Sequence, residues 1–296
     1  MFNKSFLTDK IVNSLLDKDF EVLVTEGCFN IAAKNESLML IKSLMNVDSF
    51  SEEHALSLRS ISYFLSANPL VVSIKNNRNF LHDQTIYSRF QLPVMTPQTF
   101  ENYLQDEKMK FFESAKGKHT SEVDVKKIRS KREEKGFSLR ELAQLIGISK
   151  KALYEIEKSR TKPSFETINK IKNILNTEIQ VSKKIEPKIQ VVYLKPTNET
   201  QRKVSKELSR IGIENSSAYS APFEIIGRES FSIVTSSLTK ELPIMKKFAN
   251  IVSSKAFLVA KESKEDSMNG VPIVSEQELS ELESPKDLKK RLKEKI

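Results

Sequence analysis

S-L-R-E-L-A-Q-L-I-G-I-S-K-K-A-L-Y-E-I-E-K-S-R, from Ser138 to Arg160, reads as two short helices joined by a sharp turn. Ser138 can cap the first helix while Glu141 reaches back to it, a capping box. Leu142 and Ile146 point inward on that helix, and Ala143 is small enough for a second helix to cross it closely. Gly147 supplies the positive φ that the turn demands. Ile148 plugs the corner and Ser149 caps the second helix. Leu153 and Ile156 return to the core at helical spacing. Small residue, glycine turn, apolar plug and two apolar anchors, in this order, are the parts of a helix-turn-helix. An ordinary helical hairpin needs only some of them.

Charge supports that reading from outside the motif. The chain of 296 residues has a formal net charge of +9, unevenly spread. Residues 1–107 hold 9 Lys/Arg against 13 Asp/Glu, residues 108–195 hold 22 against 11, and residues 196–296 hold 17 against 15. The basic excess therefore sits in the middle third, where it can attract a polyanion such as DNA.

Other classes find little support. No apolar run approaches the roughly 20 residues that cross a bilayer. The start, M-F-N-K-S-F-L-T-D-K, lacks the apolar region of a signal peptide. A cytoplasmic protein without membrane contact is expected, and Cys28, the single cysteine, is expected to be a buried structural thiol. His54, His82 and His119 show no metal-ligand spacing. No phosphate loop, dinucleotide fingerprint or nucleophile elbow is present. No metal or cofactor is expected.

The outer blocks read as α/β. In the first, Ile11–Leu16 suggests a helix and Glu21–Val24, Phe29–Ala33 and Leu38–Leu44 suggest strands. Ser51–Leu65 suggests a helix, Pro69–Ile74 a buried strand, Val94 a short strand and Pro97–Leu104 a helix. The last block repeats the order: a strand at Ile189–Tyr193, a helix at Thr200–Ile211, strands at Phe223–Ile226 and Phe231–Thr235, a helix at Pro243–Val252 and a strand at Ala256–Ala260. Three segment pairs agree in the same order: those starting at Phe29 and Phe223, at Ser66 and Ser253, and at Leu92 and Val271. Four segments are expected: 1–107 (α/β), 120–180 (helical), 187–283 (α/β, a diverged repeat of the first) and a basic tail, 284–296, lying in solvent.

From Val123 to Asn176 the sequence resembles the Cro and lambda-repressor (XRE) family of helix-turn-helix domains. V-D-V-K-K-I-R-S-K-R-E-E-K-G before the motif and P-S-F-E-T-I-N-K-I-K-N-I-L-N after it fit that family's flanking helices. The resemblance implies a structural pair between Arg132, late in the first helix, and Glu157, at the end of the recognition helix. It also implies DNA contacts. Lys150, Lys151, Ala152, Tyr154 and Glu155 would meet base edges in the major groove. Ser138, Arg140, Lys158, Arg160 and Lys162 would meet phosphates, and Ser149, the helix cap, joins the same DNA-binding set. Leu139 stands where the family often has glutamine, and Ser159 where it usually has glycine.

The three-block arrangement also resembles an archaeal family of provisionally assigned helix-turn-helix transcriptional regulators. The outer blocks resemble the restriction-endonuclease-like fold in degenerate form. Active members need two carboxylates to hold a divalent metal beside a lysine. Here Asn30, Leu40 and Lys42 occupy those places in the first block, and Glu224, Ile233 and Thr235 in the last, so only one functional residue survives in each. The expectation is a fold that is α/β plus all-α: a lambda-repressor-like domain between two degenerate nuclease-like domains, catalytically silent. It would bind double-stranded DNA as a homodimer on a palindrome and regulate transcription, with room for an unidentified small-molecule or protein effector. A nucleic-acid-processing factor, or an antitoxin or scaffold, are the alternatives.

Overall fold

The computed structural model describes residues 4–105, 108–115, 118–185, 189–237 and 239–295. The expected segment boundaries at 107 and 187 lie outside the described residues.

The chain begins α1 (Lys4–Leu16), β1 (Glu21–Val24), β2 (Ile31–Lys34), β3 (Leu38–Asn46), α2 (Glu52–Leu65) and β4 (Asn68–Lys75). It continues through β5 (Thr85–Arg89), β6 (Leu92–Met95), α3 (Pro97–Gln105), β7 (Lys108–Met109), β8 (Phe112–Ala115) and β9 (Lys118–Thr120). Four helices follow, α4 (Val125–Glu134), α5 (Leu139–Ile146), α6 (Lys150–Glu157) and α7 (Phe165–Leu175), then β10 (Lys183–Lys184). The last part is α8 (Glu199–Arg210), β11 (Glu214–Ser217), β12 (Ile225–Arg228), β13 (Ser232–Ser236), α9 (Leu242–Ile251), β14 (Lys255–Ala260), β15 (Ser267–Met268), β16 (Val271–Ser275), α10 (Glu276–Glu281) and α11 (Pro285–Glu294).

These elements gather into two compact units. One comprises Met1–Asn79, Arg89–Leu92 and Pro187–Ile296, and the other Phe80–Ser88 and Pro93–Glu186. The two terminal α/β blocks thus form one unit, and residues 93–105 cluster with the helices rather than with the first block.

Within the α/β unit the two halves share one topology. β1–β2 and β2–β3 are antiparallel and β3–β4 is parallel. Likewise β11–β12 and β12–β13 are antiparallel and β13–β14 is parallel. A left-handed serine follows each crossover helix, Ser66 (φ 51°) directly after α2 and Ser253 (φ 58°) one residue beyond the Val252 cap of α9. The strands beside the parallel pairings are apolar on both faces, as a sheet covered on both sides requires. Leu40, Ile41, Leu70, Val71, Ile233, Val234 and Phe257 are all buried.

Two expectations for the last block are corrected. Ile189–Tyr193 forms no strand. The neighbouring Leu194 carbonyl accepts from Ser217 N–H, but the Leu194 N–H donates to the Ser216 hydroxyl, so no ladder forms. Residues 284–295 do not form the solvated tail expected for 284–296. Ser284 caps α11, whose Leu288 and Leu292 enter the same core as Val204, Ile225 and Phe257. Spacing of four places both leucines on one helix face.

In the second unit, α4–α7 close around Ile128, Leu142, Ala143, Ile146, Leu153, Ile156, Ile168, Ile171 and Leu175. Phe112 of β8 and Ile179 complete that core. Short pairings tie its ends: β7 with β10, and an isolated bridge between Val123 and Gln180.

Candidate nucleic-acid interface

Local chemistry sets the recognition helix in place. Ser138 accepts from the Glu141 N–H at 3.2 Å while the Glu141 carboxylate accepts the Ser138 N–H at 2.8 Å, the capping box in full. Gly147 takes φ 82°, and its N–H and that of Ile148 both donate to the Ala143 carbonyl at 3.0 Å. Ser149 then caps α6 by accepting from the Ala152 N–H at 3.0 Å. Leu153 and Ile156 are buried, so α6 turns its other face outward.

The α6 terminus is clamped from α4. Arg132 Nε and Nη2 donate to the two Glu157 oxygens at 2.8 and 3.2 Å, and Nη1 donates to the Phe137 carbonyl at 2.9 Å. The two side chains are only 11% and 7% exposed. The expected pair is therefore a bidentate, nearly buried fork. Ser159 does what a glycine would do after the helix: it adopts φ 57°, a conformation that strains a side-chain-bearing residue.

The exposed face carries cations in two conditions. Arg140, Lys150 and Lys151 stand exposed, and no acidic partner reaches them among the described residues. Tyr154 is exposed, with the Lys158 ammonium 5.8 Å and the Arg160 guanidinium 5.9 Å from its ring centre. Ala152 and Glu155 are half-buried, and Glu155 meets Arg160 at 3.5 Å. Lys162 differs from the rest. Its ammonium bonds Glu113 at 2.6 Å and Glu122 at 3.1 Å, and Lys183 joins the same two carboxylates. The partial burial of Glu113 would raise its pKa, but the Lys162 and Lys183 bonds hold it below the usual carboxylate range. Lys162 is thus built into a four-residue ion cluster, which the sequence did not signal across its separation from Glu113. Beside it, Val123, Val125, Ile156, Thr161 and Pro163 line a cleft of about 320 Å³.

The nuclease-like positions of the α/β unit are closed in. Asn30 is buried; its Oδ1 accepts from Ser43 N–H at 3.2 Å. Lys42 is buried too, and its ammonium donates to the Gly27 carbonyl. In the other half Glu224 Oε1 accepts from Gln201 at 2.9 Å. Its Oε2 accepts from Ser237 N–H at 2.6 Å and from the Ser237 and Ser236 hydroxyls at 2.7 and 3.3 Å. Half-burial would raise the Glu224 pKa, but these donors hold it below the ordinary value. The hollow beside it, lined by Thr200, Val204 and Val259, has about 10 Å³ of space, room for about one water.

The register corrects one equivalence. Asn30 N–H donates to Ile41 O as Glu224 N–H donates to Thr235 O, so Thr235 matches Ile41. Ser236, not Thr235, stands in the place of Lys42, and Val234, not Ile233, in that of Leu40. Both Leu40 and Val234 are fully buried apolar residues. Among the described residues no group of three His, Cys, Asp or Glu side chains could hold a metal. His82 and His119 do meet, ring centres 5.5 Å apart, with Tyr87 against the latter. Cys28 is buried, which pushes its thiol up to about 11.

Comparison with known proteins agrees with this geometry. Residues 128–181 match the helix-turn-helix family and residues 4–109 match the PD-(D/E)XK superfamily domain. The central segment is a helix-turn-helix domain. Around it, the chain is similar over nearly its whole length to archaeal proteins provisionally named HTH-type transcriptional regulatory proteins. The Pyrococcus abyssi protein is 26% identical, covering 95% of this chain and 93% of its own. The Pyrococcus furiosus protein is 27% identical over 97% and 96%, and that of Thermoplasma acidophilum 28% over 98% and 97%. No solved structure matches the chain. The fold is therefore a helix-turn-helix domain joined in one chain to nuclease-like α/β structure, and no helix among the described residues is long and apolar enough to cross a membrane.

Proposed function

We propose that this protein is a sequence-specific, double-stranded DNA-binding transcriptional regulator of the cytoplasm, reading DNA through α6. The observation that carries the proposal is the pair Lys150 and Lys151. Both are exposed and without acidic partners among the described residues, at the start of a helix whose opposite face is locked in the core. Lysine there can donate to guanine O6 and N7, Glu155 can accept from cytosine N4, and Ala152 can touch a thymine methyl. Tyr154 lies on the same face. Ser138, Ser149, Arg140, Lys158 and Arg160 serve the phosphates, which add affinity without sequence information. Lys162, held by two carboxylates, serves the domain's structure before it serves DNA.

The α/β unit is proposed to be non-catalytic. Phosphodiester hydrolysis of the nuclease kind needs a divalent cation held by at least two carboxylates. Glu224 is one, with both oxygens already hydrogen-bonded, and Asn30, Leu40, Val234 and Ser236 offer no second. Selection from a random DNA library, with affinity measured across salt, tests the binding role. A defined motif and a log affinity that falls steeply with log salt are expected, because phosphate contacts release counterions. No motif, or a flat salt response, would remove the proposal. Cleavage of supercoiled or branched DNA in Mg²⁺ or Mn²⁺ that Glu224→Ala abolishes would make the protein an enzyme instead.

A further inference from the structure

We infer that the two α/β halves of this chain are each other's dimer partner, so that the protein engages DNA as a single chain at an asymmetric site. The second clause rests on the DNA-binding reading; the first does not. The evidence is a reciprocal exchange. Helix α2 of the first half packs on β12 of the second, and α9 of the second packs on β1 and β2 of the first. Since α2 corresponds to α9 and β2 to β12, each half lays the same helix on the same strand of the other. That is the pattern of a two-fold interface, in which one patch is used twice, here between halves of one chain.

The contact is built throughout. At its centre the loops after β1 and β11 touch, with Cys28 N–H donating to the Ser220 carbonyl at 2.6 Å. Gly27 permits this approach, because a Cβ there would lie 1.9 Å from Ser220 O. On the α2 side, Ser57 bonds the Tyr219 backbone twice at 2.9 Å and Ser60 bonds Ser216 at 3.0 Å. Arg228 donates to the Tyr63 carbonyl at 3.0 Å and lies over its ring. On the α9 side, Phe248 stacks between Phe29 of one half and Phe223 of the other, ring centres 5.4 and 5.1 Å away. Ser57, Ser60, Ser216, Phe29 and Phe248 are all buried. A two-fold face consumed inside the chain is not available to a second copy. Each such pair carries one helix-turn-helix, which reads one half-site. The homodimer on a palindrome, expected from the helix-turn-helix alone, gives way to one chain on a site without two-fold symmetry.

The experiment uses the full-length chain carrying Ser60→Cys and Ser216→Cys, oxidised with glutathione disulfide. Buried Cys28 stays reduced. The expected result is an intrachain disulfide: a single-chain band on a non-reducing gel, with both new thiols lost. An interchain dimer band, or no cross-link in a folded protein, overturns the pairing. Light scattering of the unmodified protein at micromolar concentration is expected to give 33.8 kDa, and DNA selection a motif without two-fold symmetry bound by one chain. Twice that mass, or a palindromic motif holding two chains, overturns the inference even if the double variant fails to fold. A single-chain mass with an intrachain cross-link but no selected motif keeps the pairing and removes the DNA clause together with the regulator reading.

Discussion

Lys150 and Lys151 on α6 and Lys42 on β3 are the same side chain in opposite conditions. The first two stand in solvent with no acid among the described residues to neutralise them, held out by a helix whose other face is core. Lys42 is buried, and its ammonium is bound to the Gly27 carbonyl. Glu155 and Glu224 form a parallel contrast: one lies on the outer edge of α6, the other accepts four hydrogen bonds from its own domain. A charged group acts on a partner only if the fold has left its hydrogen-bonding capacity unspent. Once buried, it must be satisfied within the fold or it destabilises the fold. The nuclease-like halves have turned Asn30, Lys42 and Glu224 into structure, while the helix-turn-helix has kept Arg140, Lys150 and Lys151 clear of any acid among the described residues.

The contrast breaks most readily in the packing. If the α/β halves serve by holding together, Phe248→Ala should be the costliest change, at about 3–5 kcal/mol for a buried aromatic. Denaturant unfolding of the full chain reads this, and a near-neutral variant would mean that the Phe29–Phe248–Phe223 stack is slack. Next comes the clamp beneath the recognition helix. Glu157→Ala leaves the nearly buried Arg132 charge with the Phe137 carbonyl and a long 3.5 Å contact to the exposed Glu133 carboxylate, at a cost of about 3 kcal/mol, and DNA affinity should fall with it. Unchanged stability there would detach α4 from the positioning of α6.

The lysines themselves sharpen the comparison. Lys151→Ala should lose about 1–3 kcal/mol of preference at one base position and relax selection there. Lys42→Met should leave the selected motif untouched and lower stability alone. An equal loss for every sequence in Lys151→Ala would make that residue a phosphate contact. The smallest effect concerns pH. Partial burial would raise the Glu178 carboxyl, but bonds from Lys172 and the Gln180 N–H, with the Lys110 charge, bring it down to about 2. A depressed carboxyl adds stability above its unfolded pKa that is lost as pH falls through the folded one. The helical unit should therefore hold steady from neutral pH to about 4.5 and weaken towards pH 2. Glu178→Gln should flatten that limb, and an unaltered acid profile would argue against the contact.

The helix-turn-helix was legible because its signals are local. Ser138 and Glu141 are three residues apart, Gly147 acts on its own φ, and Ser149 caps the helix it precedes. In the outer blocks the main helices and strands were legible from apolar runs, but Ile189–Tyr193 forms no strand, and β5, β11, β15, β16 and α10 were not expected. The same apolar runs misplaced the lysine position by one residue, at Thr235 instead of Ser236, because a strand buried on both faces is apolar at successive positions and does not mark its own register until its partner is known. The docking of α11 had a visible sign in Leu288 and Leu292, four apart within a basic run. The buried serines of α2, Ser57 and Ser60, were a sign of a helix facing another surface, but nothing in their spacing names that surface.

Elements, caps, turn and surplus positive charge are written within short windows, where covalent geometry and hydrogen-bond reach couple residues to near neighbours. Which cations remain free was settled only by folding: Lys162 is claimed by Glu113 from β8, and Lys42 by Gly27 from the loop after β1. The pairing of the two α/β halves likewise joins Ser57 to Tyr219 and Cys28 to Ser220, residues far apart along the chain. Such contacts depend on where distant backbone comes to rest, because burial and hydrogen bonding act through space and carry no trace in local spacing.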